Sequence, residues 1–309
     1  MRRTADTTSR EPGVTDGLGL STALAAMTRD LGREARTADN PDRPTVFILT
    51  YCRRSELLYG STLVFKTLRT GFPTAAVVVV DNASLPESRA EIRQSAEADG
   101  CRFLQIDPTD VAHHDFLETV LEAMASDDAP AGPLVFLDPD VCFWKSCEDF
   151  TFDALMAGYF VPAARDPITD TLVMPRLHSS FLWIPNARRL WHQITSFRET
   201  RHDFAAFQSF TTLFGRQWCR YNTGASLYAA IRSQAAHFDD SHCRCYDHLI
   251  SGCHVDLFYP RLAPENRRRL RELHEHARRG NLAALKGLWA RHHEIWGRPT
   301  GRPVATGKE

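Results

Sequence analysis

The feature that most limits how this chain can fold is an alternation. Short apolar runs, TVFILTY (45–51), TAAVVVV (74–80), CRFLQI (101–106) and PLVFL (133–137), are rich in β-formers. Between them lie SELLYGSTLVFKTLRTG (55–71), LPESRAEIRQSAEADG (85–100) and DFLETVLEAMASDD (115–128), with apolar residues recurring every three to four positions. The first kind of segment predicts strands and the second helices. Strands that are apolar on both faces and alternate with helices predict an α/β fold, a mostly parallel sheet covered on both sides.

After Asp140 the alternation loosens. EDFTFDALMAG (148–158) has helical spacing, YFVPAA, TLVM and HSSFLWIPN read as strands, and ARRLWHQITSF (187–197) as a helix. TGASLYAAIRSQA (223–235) predicts a helix with Thr223 as N-cap. Residues 1–42 are polar and predict a flexible lead-in with one short helix at STALAAMTRDLGREA. The α/β domain is expected over 43–260, and a basic helical extension with a frayed tail over 261–309. The arginines of ENRRRLRELHEHARRG are expected on a solvated face, with Leu270 and Leu273 packing beneath, as a cap on the domain or part of a homodimer contact.

A chain of 309 residues with a formal net charge of −1 gives no global sign of binding nucleic acid or an anionic membrane. It holds no apolar run of about 18 residues, so no transmembrane helix is expected. The basic start lacks the apolar core of a secretory signal, and the eight cysteines are scattered through apolar segments. Both point to reduced thiols and a cytoplasmic protein.

In open α/β sheets, ligands sit beyond the C-terminal ends of the strands. The first strand here ends in Thr50, Tyr51 and Arg53, the second in Asp81 and Asn82, the fourth in Asp138-Pro139-Asp140. Pro139 drives Asp138 toward extended backbone, where residues two apart share a face. Two carboxylates at one point repel unless a cation joins them, and oxygen ligands suit Mg²⁺ or Mn²⁺ bound with phosphate oxygens. On the same residues, DPD also fits a plain turn.

In order, PTVFILTYCRR, VVVVDNAS and LVFLDPDV resemble the family 2-like glycosyltransferases of the GT-A fold, over about Pro44 to Phe258. LHSSFLWIPN, YNTGASLYAAIRSQ and YDHLISG are similar to that family's acceptor-side strand, the facing helix start and its histidine-bearing return segment. The resemblance implies a Rossmann-like sheet and a metal-dependent hexosyl- or deoxysugar transfer, with inversion at the anomeric carbon. The donor would be a UDP-, GDP- or dTDP-linked sugar. It implies that Thr50, Tyr51, Arg53, Asp81 and Asn82 hold the nucleoside, that His113 or His114 approaches the donor, that Asp138 faces the ribose or the metal, that Asp140 ligates the metal, and that His248 reaches the metal or the diphosphate. Where the family often carries an acid, this chain has Asn222-Thr223, and an amide takes no proton at neutral pH. Asp203, Asp239, Asp240 and His178 are then the other candidates for the base or for acceptor contact.

Two further readings compete. A nucleotidyltransferase-like enzyme shares the sheet and the acids, although TYCRRSELLYG lacks a glycine-rich phosphate loop. Cys243, Cys245, His248 and Cys253 are chemically good zinc ligands at unusual spacing, which fits a non-catalytic interaction protein on a decayed transferase fold. Trp183, on the face of Phe181, suits a sugar-stacking platform or a core.

Overall fold

The computed structural model describes residues 18–106, 111–166, 169–200, 206–249 and 264–288. The chain enters through helix α1 (Leu18–Thr37), then runs β1 (Thr45–Thr50), two short helices α2 (Leu58–Thr62) and α3 (Leu68–Gly71), β2 (Ala76–Asn82), α4 (Pro86–Ala98), β3 (Arg102–Ile106), α5 (His113–Met124) and β4 (Leu134–Leu137). It continues through β5 (Val141–Phe143), β6 (Met156–Val161), β7 (Ala164–Arg165), β8 (Leu172–Val173), β9 (Arg176–Ile184) and α6 (Ala187–Thr200). Last come β10 (Phe210–Phe214), β11 (Gln217–Tyr221), α7 (Ala225–Ile231), β12 (Ala235–His237), α8 (Asp240–Cys243), β13 (Tyr246–His248) and α9 (Pro264–Arg278).

The central sheet has the order β12-β6-β9-β4-β1-β2-β3. Strand β9 alone runs against its neighbours, pairing antiparallel with both β4 and β6. The predicted α/β class, a mainly parallel sheet flanked by helices, is therefore the observed one. Alternate residues of each strand feed two cores. Phe47, Val78, Val80, Leu134 and Phe136 pack with α1, α5 and α6 on one face. Val46, Ile48, Val77, Val79 and Val135 pack on the other with Phe72, Ile92 and Tyr246. Both faces are dry, which is why the strands read as unbroken apolar runs. A four-stranded sheet, β10-β11-β8-β7, and the ribbon β13-β5 complete the molecule.

Four local expectations are corrected. Helix α1 is 20 residues long and buries Leu20, Leu24 and Leu31 against the core, so 18–37 is docked and not a flexible lead-in. The segment 55–71 is a chain of short helical turns, because Val64 N–H donates to the Pro139 carbonyl at 2.8 Å and so leaves the helical ladder. In 148–158 the apolar residues lead into strand β6, and Phe150 and Phe152 join an aromatic cluster with Phe181, Trp183 and Phe238. The N-cap of α7 is Gly224 at φ +79, not Thr223, whose hydroxyl meets Ser209 at 3.1 Å. That left-handed turn is open to glycine at no steric cost.

Helix α9 lies over Leu63, Cys142 and Leu249 through Leu270, Leu273 and Ala277. Among the described residues no helix is long and apolar enough to cross a membrane, and the seven described cysteines form no disulfide. Gly71 closes α3 beneath the Phe143 ring, and a Cβ there would lie 2.3 Å from the ring. Gly71→Ala is expected to destabilise the fold by about 1–3 kcal/mol through overpacking, measured as a lowered midpoint of thermal unfolding. An unchanged midpoint would mean that the Phe143 ring moves aside freely.

Candidate active site

Three segments meet at the C-terminal edge of the sheet. The loop Asp138-Pro139-Asp140 follows β4, and each of its residues is pinned through the backbone. Asp138 N–H donates to the Ser180 carbonyl (2.9 Å), the Pro139 carbonyl accepts from Val64 (2.8 Å), and the Asp140 carbonyl accepts from Leu249 (2.9 Å). Strand β5 starts directly after Asp140 and pairs antiparallel with β13, setting Val141 opposite His248. This ribbon brings a residue 108 positions further along the chain beside the loop.

The result is a cluster of Asp138, Asp140 and His248 with potential ligand atoms within 4.8 Å of one another. His248 Nε2 lies 3.0 Å from Asp140 Oδ1 and 3.8 Å from Asp138 Oδ2. Asp140 and His248 are buried, while Asp138 opens to solvent on one side. Burial disfavours the imidazolium of His248, but Asp140, through charge and a hydrogen bond, and then Asp138 and Asp247, outweigh it and raise its pKa. The neighbourhood is thus strongly electronegative. Two carboxylate oxygens and one imidazole nitrogen, held by backbone that is itself bonded, fit a hard divalent cation.

Histidines surround the cluster. His113, at the start of α5, has its Nε2 3.9 Å from Asp138 Oδ1, and burial lowers its pKa despite that acid. His114 turns instead toward Asp115, at 3.5 Å. The His178 ring is 5.1 Å from that of His248. Its Nδ1 accepts from Ser180 N–H at 3.2 Å and contacts the Ser180 hydroxyl at 2.8 Å. The neutral ring then carries its proton on Nε2, making it a donor there and not a base.

The nucleoside-side candidates occupy the same sheet edge, with Thr50 paired to Asp81 in register. Their side chains already have structural work. Asp81 is fully buried, accepts from Arg89 at 2.9 Å and Ser84 N–H at 3.3 Å, and meets the Thr50 hydroxyl at 3.4 Å. Asn82 exchanges two hydrogen bonds with the backbone of Val111, at 2.7 and 2.8 Å, and so fixes the approach to α5 and His113. Arg53 lies over the Tyr51 ring, 5.5 Å from its centre, on the more open side of the edge. Asp81→Ala is expected to lower stability by about 1–3 kcal/mol, because it strands buried donors, as read by thermal unfolding. A residue serving only a ribose would leave the midpoint unchanged.

The acid candidates on the acceptor side are not gathered at the cluster. Asp239 caps α8, accepting from the Ser241 hydroxyl at 2.6 Å and from the His242 and Ser241 N–H groups at 3.0 and 2.8 Å, and these bonds, the hydroxyl's first, hold its carboxyl well below the usual range. Asp240 is exposed in the first turn of the same helix. The Asn222 carbonyl accepts from Ala225 N–H at 2.9 Å at the entry to α7. Asp203 lies outside the described residues, as does Cys253. Cys243 and Cys245 sulfurs lie against the carbonyls of Phe238 and Ser241, at 3.9 and 3.4 Å. Among the described residues only Asp138 and Asp140 gather with His248 as a possible metal set. Trp183 is wholly buried in the aromatic cluster, a core residue with no face for a sugar.

Sequence reasoning overlooked Ser180 and Asp247. Asp247 is buried and accepts from Trp144 Nε1 at 2.7 Å and Gly287 N–H at 2.6 Å, tying β13 to the C-terminal segment. Only alternation with His248 along YDH pointed to it, as the partner on the opposite face.

No family model matches the chain, and no curated protein matches it. Among solved structures it is similar to a galactosyltransferase LgtC in complex with donor and acceptor sugar analogues, at 12% identity over 63% of this chain and 73% of that one, TM-score 0.39. It is similar to the glycosyltransferase GlyE of Streptococcus pneumoniae TIGR4, at 11% identity over 66% of this chain and 46% of that one, TM-score 0.38. It is also similar to a nucleoside-diphosphate-sugar pyrophosphorylase from Vibrio cholerae RC9, at 8% identity over 70% of this chain and 98% of that one, TM-score 0.39. The chain spans less than half of GlyE's length. TM-scores below 0.5 leave function to be read from the side chains.

Proposed function

We propose that this protein is a metal-dependent glycosyltransferase that moves a sugar from a nucleoside-diphosphate sugar to a hydroxyl acceptor, with inversion at the anomeric carbon. The observation that carries the reading is the convergence of Asp138, Asp140 and His248 at the C-terminal edge of the parallel sheet. Asp138, Asp140 and His248 would hold Mn²⁺ or Mg²⁺. Such a cation, when bound, supplies Lewis-acid stabilisation of a departing diphosphate.

The chain's own residues do the rest. Thr50, Tyr51 and Arg53 border the part of the sheet edge where a nucleoside would lie, the Tyr51 ring offering a stacking face. Asp81 and Asn82 shape that edge from behind. His113 and the Nε2–H of His178 flank the cluster and would donate to diphosphate or acceptor oxygens. The support for inversion is the family resemblance of the sequence motifs, and the base would come from Asp203 or from a residue beyond those considered at the cluster.

The test is release of nucleoside diphosphate from UDP-, GDP- and dTDP-linked sugars, with and without Mn²⁺, by wild type and Asp140→Ala. Metal-dependent release from one donor, lost in the variant, is the expected result. Release that is indifferent to metal and to Asp140 would refute the reading.

A further inference from the structure

Strands β10 and β11 form a hairpin, FTTLFGRQWCRY (210–221), at one edge of the four-stranded sheet. Among the described residues the exposed large hydrophobic side chains all lie at its tip: Leu213, Phe214 and Trp218, at 53, 78 and 54% exposure. Single apolar residues scattered over a surface are ordinary, but three gathered within six positions mark a contact surface. The antiparallel register sets Leu213 opposite Trp218 and Phe214 opposite Gln217. Successive pairs along a hairpin point to opposite faces. Leu213 and Trp218 therefore cover one face of the tip, and Phe214 lies on the other. Gly215 turns the chain at φ +61, and nothing lies within 4 Å of where its Cβ would be. The base of the hairpin is packed by contrast, with Phe210 stacked on Tyr221 at 4.7 Å and Cys219 buried. A held base thus carries a projecting tip that is apolar on both faces.

The charge of the hairpin has one sign. It holds Arg216 and Arg220 and no acid. Arg220 meets Asp166 at 3.3 Å, whereas Arg216 stands exposed in the turn itself. The acid beside the tip, Asp170, whose carbonyl accepts from Gln217 at 3.0 Å, is paired with Arg165. A flat protein partner or a second copy would cover one face of the tip and leave the other in water. A lipid headgroup layer surrounds such a tip on both faces. Aromatic side chains settle at that depth, tryptophan above all, and an adjacent arginine meets the anionic surface. We propose that the β10–β11 hairpin is an interfacial anchor, which inserts Leu213, Phe214 and Trp218 into the headgroup region of an anionic phospholipid surface with Arg216 against the phosphates. Such a contact needs no spanning helix, and it goes beyond the glycosyltransferase reading. The net charge of −1 gives no sign of it, because two arginines disappear into a balanced total.

The experiment is co-sedimentation of the full chain with vesicles of phosphatidylcholine alone and of phosphatidylcholine and phosphatidylglycerol in equal parts. Wild type should bind the anionic vesicles more tightly than the neutral ones. Phe214→Ser combined with Trp218→Ser should weaken binding to both about 100-fold. Arg216→Gln should weaken binding to the anionic vesicles about fivefold and leave the neutral ones unaffected. These side chains are exposed, so the unfolding midpoint should hold in each variant. A second readout uses lipids with brominated acyl chains, which should quench the tryptophan fluorescence of wild type. Trp218→Phe, which keeps an apolar ring, should still bind and should lose that quenching. The proposal is overturned if wild type binds neither vesicle, if the double variant binds as tightly as wild type, or if quenching survives in Trp218→Phe. A wild type that is dimeric by light scattering, ignores vesicles and becomes monomeric in the double variant would give the tip to a second copy, which also overturns it. No metal or nucleotide takes part, so these results stand apart from the fate of the donor reading.

Discussion

Asp140→Ala is expected to remove metal-dependent binding of nucleoside diphosphate and to lower turnover by about 10³-fold or more, some 4 kcal/mol of transition-state stabilisation. Asp140 is the buried carboxylate of the pair and the closest partner of His248. Its loss leaves Asp138 and the imidazole with too few ligands for a tightly held cation. The fold should survive. The backbone bond from Leu249 to the Asp140 carbonyl does not involve the side chain, and His248 can lose its proton and remain buried as a neutral ring. Far-UV circular dichroism and the unfolding midpoint should therefore change little while donor turnover collapses. Retention of turnover within about tenfold would remove Asp140 from the machinery.

Trp183→Ala is expected to act in the opposite way, on the fold and not on the chemistry. The indole is among the largest fully buried side chains, packed against Phe150 at 5.9 Å and Phe152 at 6.5 Å between ring centres. Deleting it should cost about 3–5 kcal/mol, enough to lower the midpoint by roughly 10 °C. Its Nε1 has no partner among the described residues, so Trp183→Phe removes an unmet donor along with some volume. That variant should cost less than half as much. A Trp183→Ala protein of undiminished stability and weakened acceptor affinity would restore the sugar-stacking role.

Much of the architecture was legible because it rests on local pattern. Val46 to Ile48 and Val77 to Val80 are apolar on both faces, and a strand of that kind has few places other than a covered parallel sheet. The acids at the strand ends were legible for the same reason, since Asp138 and Asp140 break an apolar run where burial is most costly. What local pattern cannot carry is the long-range pairing. His248 reaches Asp140 only because β13 pairs with β5, and the sequence itself offered no register for that ribbon. The resemblance of YDHLISG to a known return segment filled that gap. The helix expected over 55–71 was lost to the same kind of contact, as the loop of Pro139 took one of its hydrogen bonds. Asp81 shows another limit of local pattern: an acid at a strand end reads as open to ligand, and nothing in that pattern shows that Arg89, eight residues on, donates to it at 2.9 Å.

The most direct test of the account is thermal unfolding of wild type and Asp140→Ala with UDP, GDP, dTDP and CMP, each with and without Mn²⁺. A ligand that binds only the folded state adds about 2.7 kcal/mol at a hundredfold excess over its dissociation constant. One nucleoside diphosphate should stabilise wild type only when Mn²⁺ is present, and Asp140→Ala should lose that stabilisation while keeping its own midpoint. If no nucleotide shifts wild type, or if the shift persists without metal and in the variant, Asp138, Asp140 and His248 do not form a metal–diphosphate site.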